Sequence, residues 1–503
     1  MRKHLRYPCT GLLLVATLLA AQAAFAQSAF NHAKPQARKA TAHVTPYQDN
    51  NGQIPPKSEY DGPLFRLSHA WPTKPLPPLK HAPWQEAIHD RPITVANAAA
   101  YAAALKRAVA KNASQLIEHY DHWNAARAGW YNEPWLGSIR ESIRGTYAAG
   151  QFGPAIFPGT GLRATFGTHV LTYYDRRAAW SLYNFWGASS MKPTLKAANA
   201  QFREGSIIVK AAVFASYDTH QQLGWWDAMQ GAQVWKMYIP AGKCKPVKDP
   251  ADRCKDLKRK VWPGYVAQFD IIVKDTQSSP KTGWVFMTLV YDRNAPGKTA
   301  WDKMVPLGVQ WGNDPEATRA GMPLTENWIN PEAPKYATQT LGWGGRLSGP
   351  NDGGRNNIAV DGKAIENAPN SGCMSCHSTS QWNIAKGRMV SFLLPSIPTD
   401  TAPYFQLCNQ DGKVDPEGSY ICSPAPGSSD WMQWFQDRPG DVAMDQGSFA
   451  TDYDEVFSFK SLPQWCKATQ PQCANMKLML VNPANAMRFN QYTGAPLPKR
   501  EDK

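Results

Sequence analysis

Beyond its first 26 residues the chain has no apolar run approaching the roughly 18 residues that a spanning helix needs, which excludes a membrane-crossing segment after that point. No internal repeat is apparent. Acidic residues are in deficit, with 40 Asp and Glu against 54 Lys and Arg, for a formal charge of +14. A basic surface suits nucleic acid, an anionic membrane face or an acidic protein. Before Asp292 no stretch forms a catalytic motif. What is present is length and apolar mass: 503 residues, 43% hydrophobic, are enough for a sizeable core and at least two domains. Twenty tryptophans are available to fill a β-rich core or to wall a cofactor.

The first 26 residues read as an export signal. Arg2, Lys3 and Arg6 form a basic start, Gly11 to Ala24 is mostly apolar, and Ala24-Phe25-Ala26 is a small-x-small cleavage site. Cys9 precedes the apolar run, where a lipid-anchoring cysteine would follow it. Losing this segment removes three basic residues and no acidic one, leaving +11. The expected location is therefore the periplasm, which argues against nucleic acid. The densest basic stretch, Lys243 to Lys260, is expected as a solvated loop or as a docking face for an acidic redox partner.

Nine cysteines sort by position. Cys9 leaves with the signal, and Cys373 and Cys376 belong to a motif. The other six fall into close sequence pairs, Cys244 with Cys254, Cys408 with Cys422 and Cys466 with Cys473. Nearest-neighbour disulfides are one of 15 connectivities, and an oxidising compartment favours disulfides.

Pattern divides the chain into a signal (1–26), an extended Pro-rich arm (27–84), a helical segment (85–155), a β-rich domain (156–390) and a disulfide-containing C-terminal region (391–503). The alanine-rich run predicts a helix from Thr94 to about Ala126, and a second after Pro134 towards Tyr147. Leu162–Phe166, Ser206–Phe214, Gln233–Ile239, Val266–Val273 and Trp284–Tyr291 predict strands, being short, β-branched or aromatic, and bounded by turn residues. The fold class expected is α+β: an antiparallel β-rich domain, an N-terminal helical segment and long turn-rich insertions such as those around Gly342 and Asn351.

Cys373-Met374-Ser375-Cys376-His377 is the one specific motif. Two thiols three residues apart can add to the two vinyl groups of one porphyrin edge, and the next imidazole can turn under the ring to iron. At this composition the pattern arises by chance only ~0.004 times per chain. A redox Cys-x-x-Cys needs a βαβ context, and a zinc site needs two more ligands at matching spacing; neither is evident.

On these five residues the chain resembles the c-type cytochromes. The resemblance implies one covalent haem c, His377 as the proximal iron ligand, and electron transfer. The order Phe202-Arg203-Glu204-Gly205-Ser206-Ile207-Ile208-Val209-Lys210, Ile272–Asp275 and Gly283–Phe286 ahead of the motif is also similar to the cytochrome c′-β family. That family includes hydroxylamine-oxidising members whose haem is cross-linked to a lysine. This resemblance implies an antiparallel haem sheet with an open distal site, and places Lys210 where that lysine stands. By strand pattern alone Lys210 is an edge or surface residue.

The sixth ligand decides between carrying electrons and binding small molecules. Met389, Met432 and Met444 are candidates, as are His169 and His220. The leading expectation is an electron carrier with a porphyrin edge exposed near Ser378 to Trp382. The alternative is a five-coordinate haem enzyme or gas binder acting on small nitrogen oxides, hydroxylamine or peroxide, with Glu204, Asp218 or His220 handling protons.

Overall fold

The computed structural model describes residues 45–220, 223–243, 257–352, 354–385, 394–397, 407–415 and 420–473. The expected signal segment, the Cys244–Cys254 pair, most of the basic stretch and Met389 lie outside them. The fold is α+β with mostly antiparallel sheets.

An eight-stranded sheet organises the chain: β1 (Tyr147–Phe152), β2 (Phe166–Tyr174), β3 (Ile207–Ala215), β4 (Val234–Pro240), β5 (Arg259–Lys274), β6 (Trp284–Tyr291), β7 (Met304–Gln310) and β8 (Asn327–Ile329). Their spatial order is β1-β2-β3-β5-β6-β7-β8, with β4 on the first half of the long β5, and every pairing is antiparallel. Four of the five expected strands lie where their β-branched and aromatic runs put them. The fifth begins only at Phe166, where the Leu162 segment ends. β7 falls in a stretch where no strand was expected. Pro306 breaks its pattern and is accommodated at a register shift opposite Thr288 and Leu289.

The expected long helix is α1 (Ala98–Glu118), shorter at both ends than its alanine content suggested. Asn97, not Thr94, is the N-cap residue, and its side chain accepts from the Thr94 amide at 2.7 Å. Its Val109 and Leu116 pack on Val209 of β3 and Phe269 of β5. Burying such side chains stabilises by about 1.5–3 kcal/mol each. No second helix follows Pro134, because the Glu141 carboxylate takes the backbone amides of Ile143, Arg144 and Thr146 at 2.7–3.2 Å. That alternative set of hydrogen bonds holds a loop, and Trp135 (φ +67°) and Gly145 (φ +72°) bend it out of helical geometry.

The arm is extended where described, yet its Phe65, Trp71 and Trp84 are buried. Trp84 Nε1, Gln85 Nε2 and the Tyr101 hydroxyl all donate to Asp275 at 2.7–3.1 Å, tying arm and α1 to the end of β5. Helix α2 (Arg176–Trp186) follows β2, capped by Asp175 accepting from the Ala178 amide at 2.8 Å. A smaller sheet has the order β10-β9-β13-β12, from β9 (Arg355–Val360), β10 (Lys363–Pro369), β12 (Leu407–Cys408) and β13 (Tyr420–Cys422). Two of the expected disulfides are present, Cys408–Cys422 and Cys466–Cys473. From Thr45 the chain forms one compact unit.

Candidate functional site

Side chains alternate across the sheet. Val209, Ala211, Phe269, Ile271, Val285 and Met287 belong to the core shared with α1. Their neighbours Ile208, Lys210, Asp270, Ile272 and Phe286 face the other way, into two adjoining cavities. β3 lies between β2 and β5, so Lys210 is at the sheet centre, not at an edge or on the surface as strand pattern suggested. Thr172, Lys210, Asp270 and Thr288 are successive register partners. Lys210 Nζ sits 2.9 Å from Asp270 Oδ2 and 2.9 Å from Asp352 Oδ1. Gln268 Nε2 donates to both carboxylates at 2.9 Å. Burial lifts the Asp270 carboxyl, with Lys210 opposing. At Asp352 the attraction of Lys210 and its hydrogen bonds outweigh burial and hold the carboxyl below its ordinary value.

The Cys-x-x-Cys-His residues form a short helix, α3 (Cys373–His377), laid against this face. Its first amides are met by the protein: Cys373 N donates to the Leu347 carbonyl at 2.7 Å and Met374 N to Gln310 Oε1 at 3.1 Å. Gly372 N donates to Ser375 Oγ at 2.7 Å. The backbone ahead of α3 passes so close to Gly342 that a Cβ there would stand 1.5 Å from the Ser371 carbonyl oxygen. Met374 and Ser375 are buried, while Cys373, Cys376 and His377 line the second cavity. The two thiols are unjoined. Burial pushes both well above the ordinary thiol range, the reverse of a poised redox thiolate.

Three elements hold His377. α3 carries it, the Phe286 ring of β6 lies 4.7 Å from its imidazole, and Nδ1 is 2.7 Å from the Tyr453 carbonyl oxygen. That carbonyl can only accept, so Nδ1 carries a proton and Nε2 is the ring nitrogen left to face the cavity. Nε2 faces Glu455 Oε2 at 3.7 Å. Glu455 Oε1 has no hydrogen-bond partner among the described residues.

The loop at Asp452–Glu455 is held in an unfavourable shape, with Asp452 at φ +50° and Tyr453 at φ +66°. Asp452 anchors it by accepting from Lys274 Nζ, Trp284 Nε1 and the Phe202 amide, each at 2.7 Å. Asp454 accepts from the Tyr174 hydroxyl at 2.8 Å, and burial pushes its carboxyl up to about 6. Next comes a π-helical turn, Val456–Ser461, leading into α4 (Leu462–Thr469). Phe459 and Lys460 of that turn join Tyr147, Thr172, Lys210 and Asp352 around the first cavity. The two cavities enclose about 850 and 530 Å³ of empty space, open solvent included, and both are lined by His377, Lys210, Asp352 and Glu455.

The other expected candidates go elsewhere. Met432, Met444, His169 and His220 line neither cavity. Buried His169 meets Tyr217 at 3.2 Å, and burial holds its pKa down at about 3. Glu204 accepts from Thr276 at 2.7 and 2.9 Å, and Asp218 Oδ1 from the His220 amide at 3.0 Å; Glu204 and Asp218 also line neither cavity. Ser378 to Trp382 is buried rather than exposed, because β11 (Gln381–Trp382) pairs with β14 (Phe449–Ala450). Tyr453, Asp454, Glu455 and Lys460 were not legible as site residues. They follow the motif by more than 70 positions, and no local pattern marks them.

Among the described residues no group of three or more His, Cys, Asp or Glu side chains is arranged to hold a metal ion. The residues do suit a covalently attached haem: two unjoined thiols and an imidazole with Nε2 aimed inward meet one pair of adjoining cavities, and a backbone carbonyl fixes the ring. Comparison with protein-family models, with curated proteins and with solved structures gives no match.

Proposed function

We propose that this chain is an exported, periplasmic haem c protein that transfers single electrons, with the haem attached through Cys373 and Cys376 and His377 as proximal ligand. The observation that carries the reading is the His377 imidazole, its Nδ1–H committed to the Tyr453 carbonyl and its Nε2 turned to a cavity that both thiols line. When bound, the haem supplies a one-electron ferric–ferrous couple. The chain would hold the ring through Cys373 and Cys376, orients the imidazole, and lines the site with the apolar side chains of Ile208, Ile272, Trp284 and Phe286. No helix among the described residues is long and apolar enough to cross a membrane. The basic surface favours an acidic redox protein as partner.

A second reading is favoured by the carboxylates at the cavity. Glu455 lies opposite Nε2, and Asp454 has a carboxyl raised into the range useful for proton transfer. These suit an open iron acting on a small nitrogen oxide, hydroxylamine or peroxide. Absorption and electron paramagnetic resonance spectra of the purified protein, with and without carbon monoxide, separate the two. A low-spin spectrum indifferent to carbon monoxide supports the electron carrier; a high-spin one that shifts supports the open iron. A protein purified with no haem c spectrum from a host competent in haem attachment sinks both.

A further inference from the structure

Lys460 is a buried lysine, 8% exposed, on the π-helical turn before α4. Its ammonium lies 5.6 Å from the Tyr147 ring centroid and 4.2 Å from that of Phe459, and among the described residues it has no ion pair or hydrogen bond. Glu455, in the same turn of chain, attracts it at longer range, but burial dominates and lowers its pKa to about 8. The other lysine of the cavity, Lys210, is already neutralised by Asp270 and Asp352. A buried ammonium without a bonded anion is costly; such a group sheds its proton more readily, or it takes an anion that arrives with a ligand.

Position says which anion. The thiols of Cys373 and Cys376 line the second cavity and not the first, whereas Lys460 and Tyr147 line the first and not the second. His377, Lys210, Ile272, Asp352 and Glu455 belong to both, so Lys460 and the thiols line separate, adjoining cavities that share these residues. On a protohaem-derived ring the two carboxylate side chains project from the edge opposite the vinyl positions that cysteines capture. We propose that Lys460 is the cationic partner of a haem propionate, an assignment that rests on the haem reading above. A charge-assisted hydrogen bond there clamps the ring at the edge its thioethers leave free.

The test uses the full haem-loaded chain. A pyridine haemochrome spectrum first reports whether haem is attached; a wild-type chain without it removes the haem reading and this assignment with it. Resonance Raman propionate bands and the midpoint potential are then compared in wild type, Lys460→Met, Lys460→Gln and Lys460→Arg. The expected result is a shift of the propionate bands and a lower potential in both neutral variants, since an uncompensated propionate favours ferric iron, with the wild-type bands kept by arginine. Unchanged bands and potential in whichever neutral variant folds, with haem attached, overturn the assignment and leave the haem reading standing. Unchanged bands with weakened azide binding to the ferric protein also overturn it, by assigning Lys460 to an anion at the iron.

Discussion

His377 Nδ1 lies 2.7 Å from the carbonyl oxygen of Tyr453, so the orientation of the motif imidazole is set by backbone 76 residues further along the chain. That backbone is in turn held by Asp452, whose carboxylate joins strand β5 through Lys274, strand β6 through Trp284, and the segment before β3 through Phe202.

Replacing Asp452 with alanine removes all three acceptor contacts and leaves the Lys274 ammonium, 13% exposed, without its ion-pair partner. The expected loss is about 3–5 kcal/mol of unfolding free energy, as for other broken buried pairs. Asp452→Asn still accepts hydrogen bonds and tolerates the left-handed backbone, so it should lose less. Urea unfolding of the two variants checks the order; equal stability of wild type and Asp452→Ala would remove Asp452 as the anchor of this loop.

Lys210→Met leaves Asp270 and Asp352 facing one cavity with no cation between them. We expect a destabilisation of about 3 kcal/mol. Asp270→Asn in the same chain should restore part of it, giving a coupling of about 1–3 kcal/mol in a double-mutant cycle. Additive losses would show that the 2.9 Å contacts contribute nothing specific.

Asp454 yields a pH dependence. Burial raises its carboxyl from 3.8 to about 6, so between those values the folded protein binds more protons at this site than the unfolded chain. Stability from this group is therefore present at low pH and declines as pH rises through the window, by an amount on the order of 3 kcal/mol. Asp454→Asn cannot ionise and should flatten that decline. Urea midpoints at several pH values from 4 to 7.5 measure the difference, and parallel curves for the two proteins would show that Asp454 does not titrate in this range.

Much of the sheet was legible because its strands are short runs of β-branched and aromatic residues between turns. The helix after Pro134 failed for a reason that no propensity carries: Glu141 offers its carboxylate to three amides that a helix would otherwise use. Strand β7 was missed because Pro306 and Gly308 break its pattern, and only pairing with β6 reveals it. Lys210 was misplaced because a lysine in an apolar strand reads as an edge residue until Asp270 is seen opposite it.

Of the 15 connectivities open to six cysteines the fold selected Cys408–Cys422 and Cys466–Cys473, while the sequence by itself determined the chemistry that depends on adjacent residues: the Cys373-Met374-Ser375-Cys376-His377 spacing and the alternation of most strands. Those properties need only a few consecutive positions. The tertiary structure alone decided which side chains surround the motif. Strand register sets Lys210 beside Asp270, a loop returns Asp352 to the same face, and the last described segment brings Tyr453, Glu455 and Lys460 to His377. These partners come from stretches far apart in the chain, and each is placed by the burial of other residues around it, so none leaves a local pattern to read.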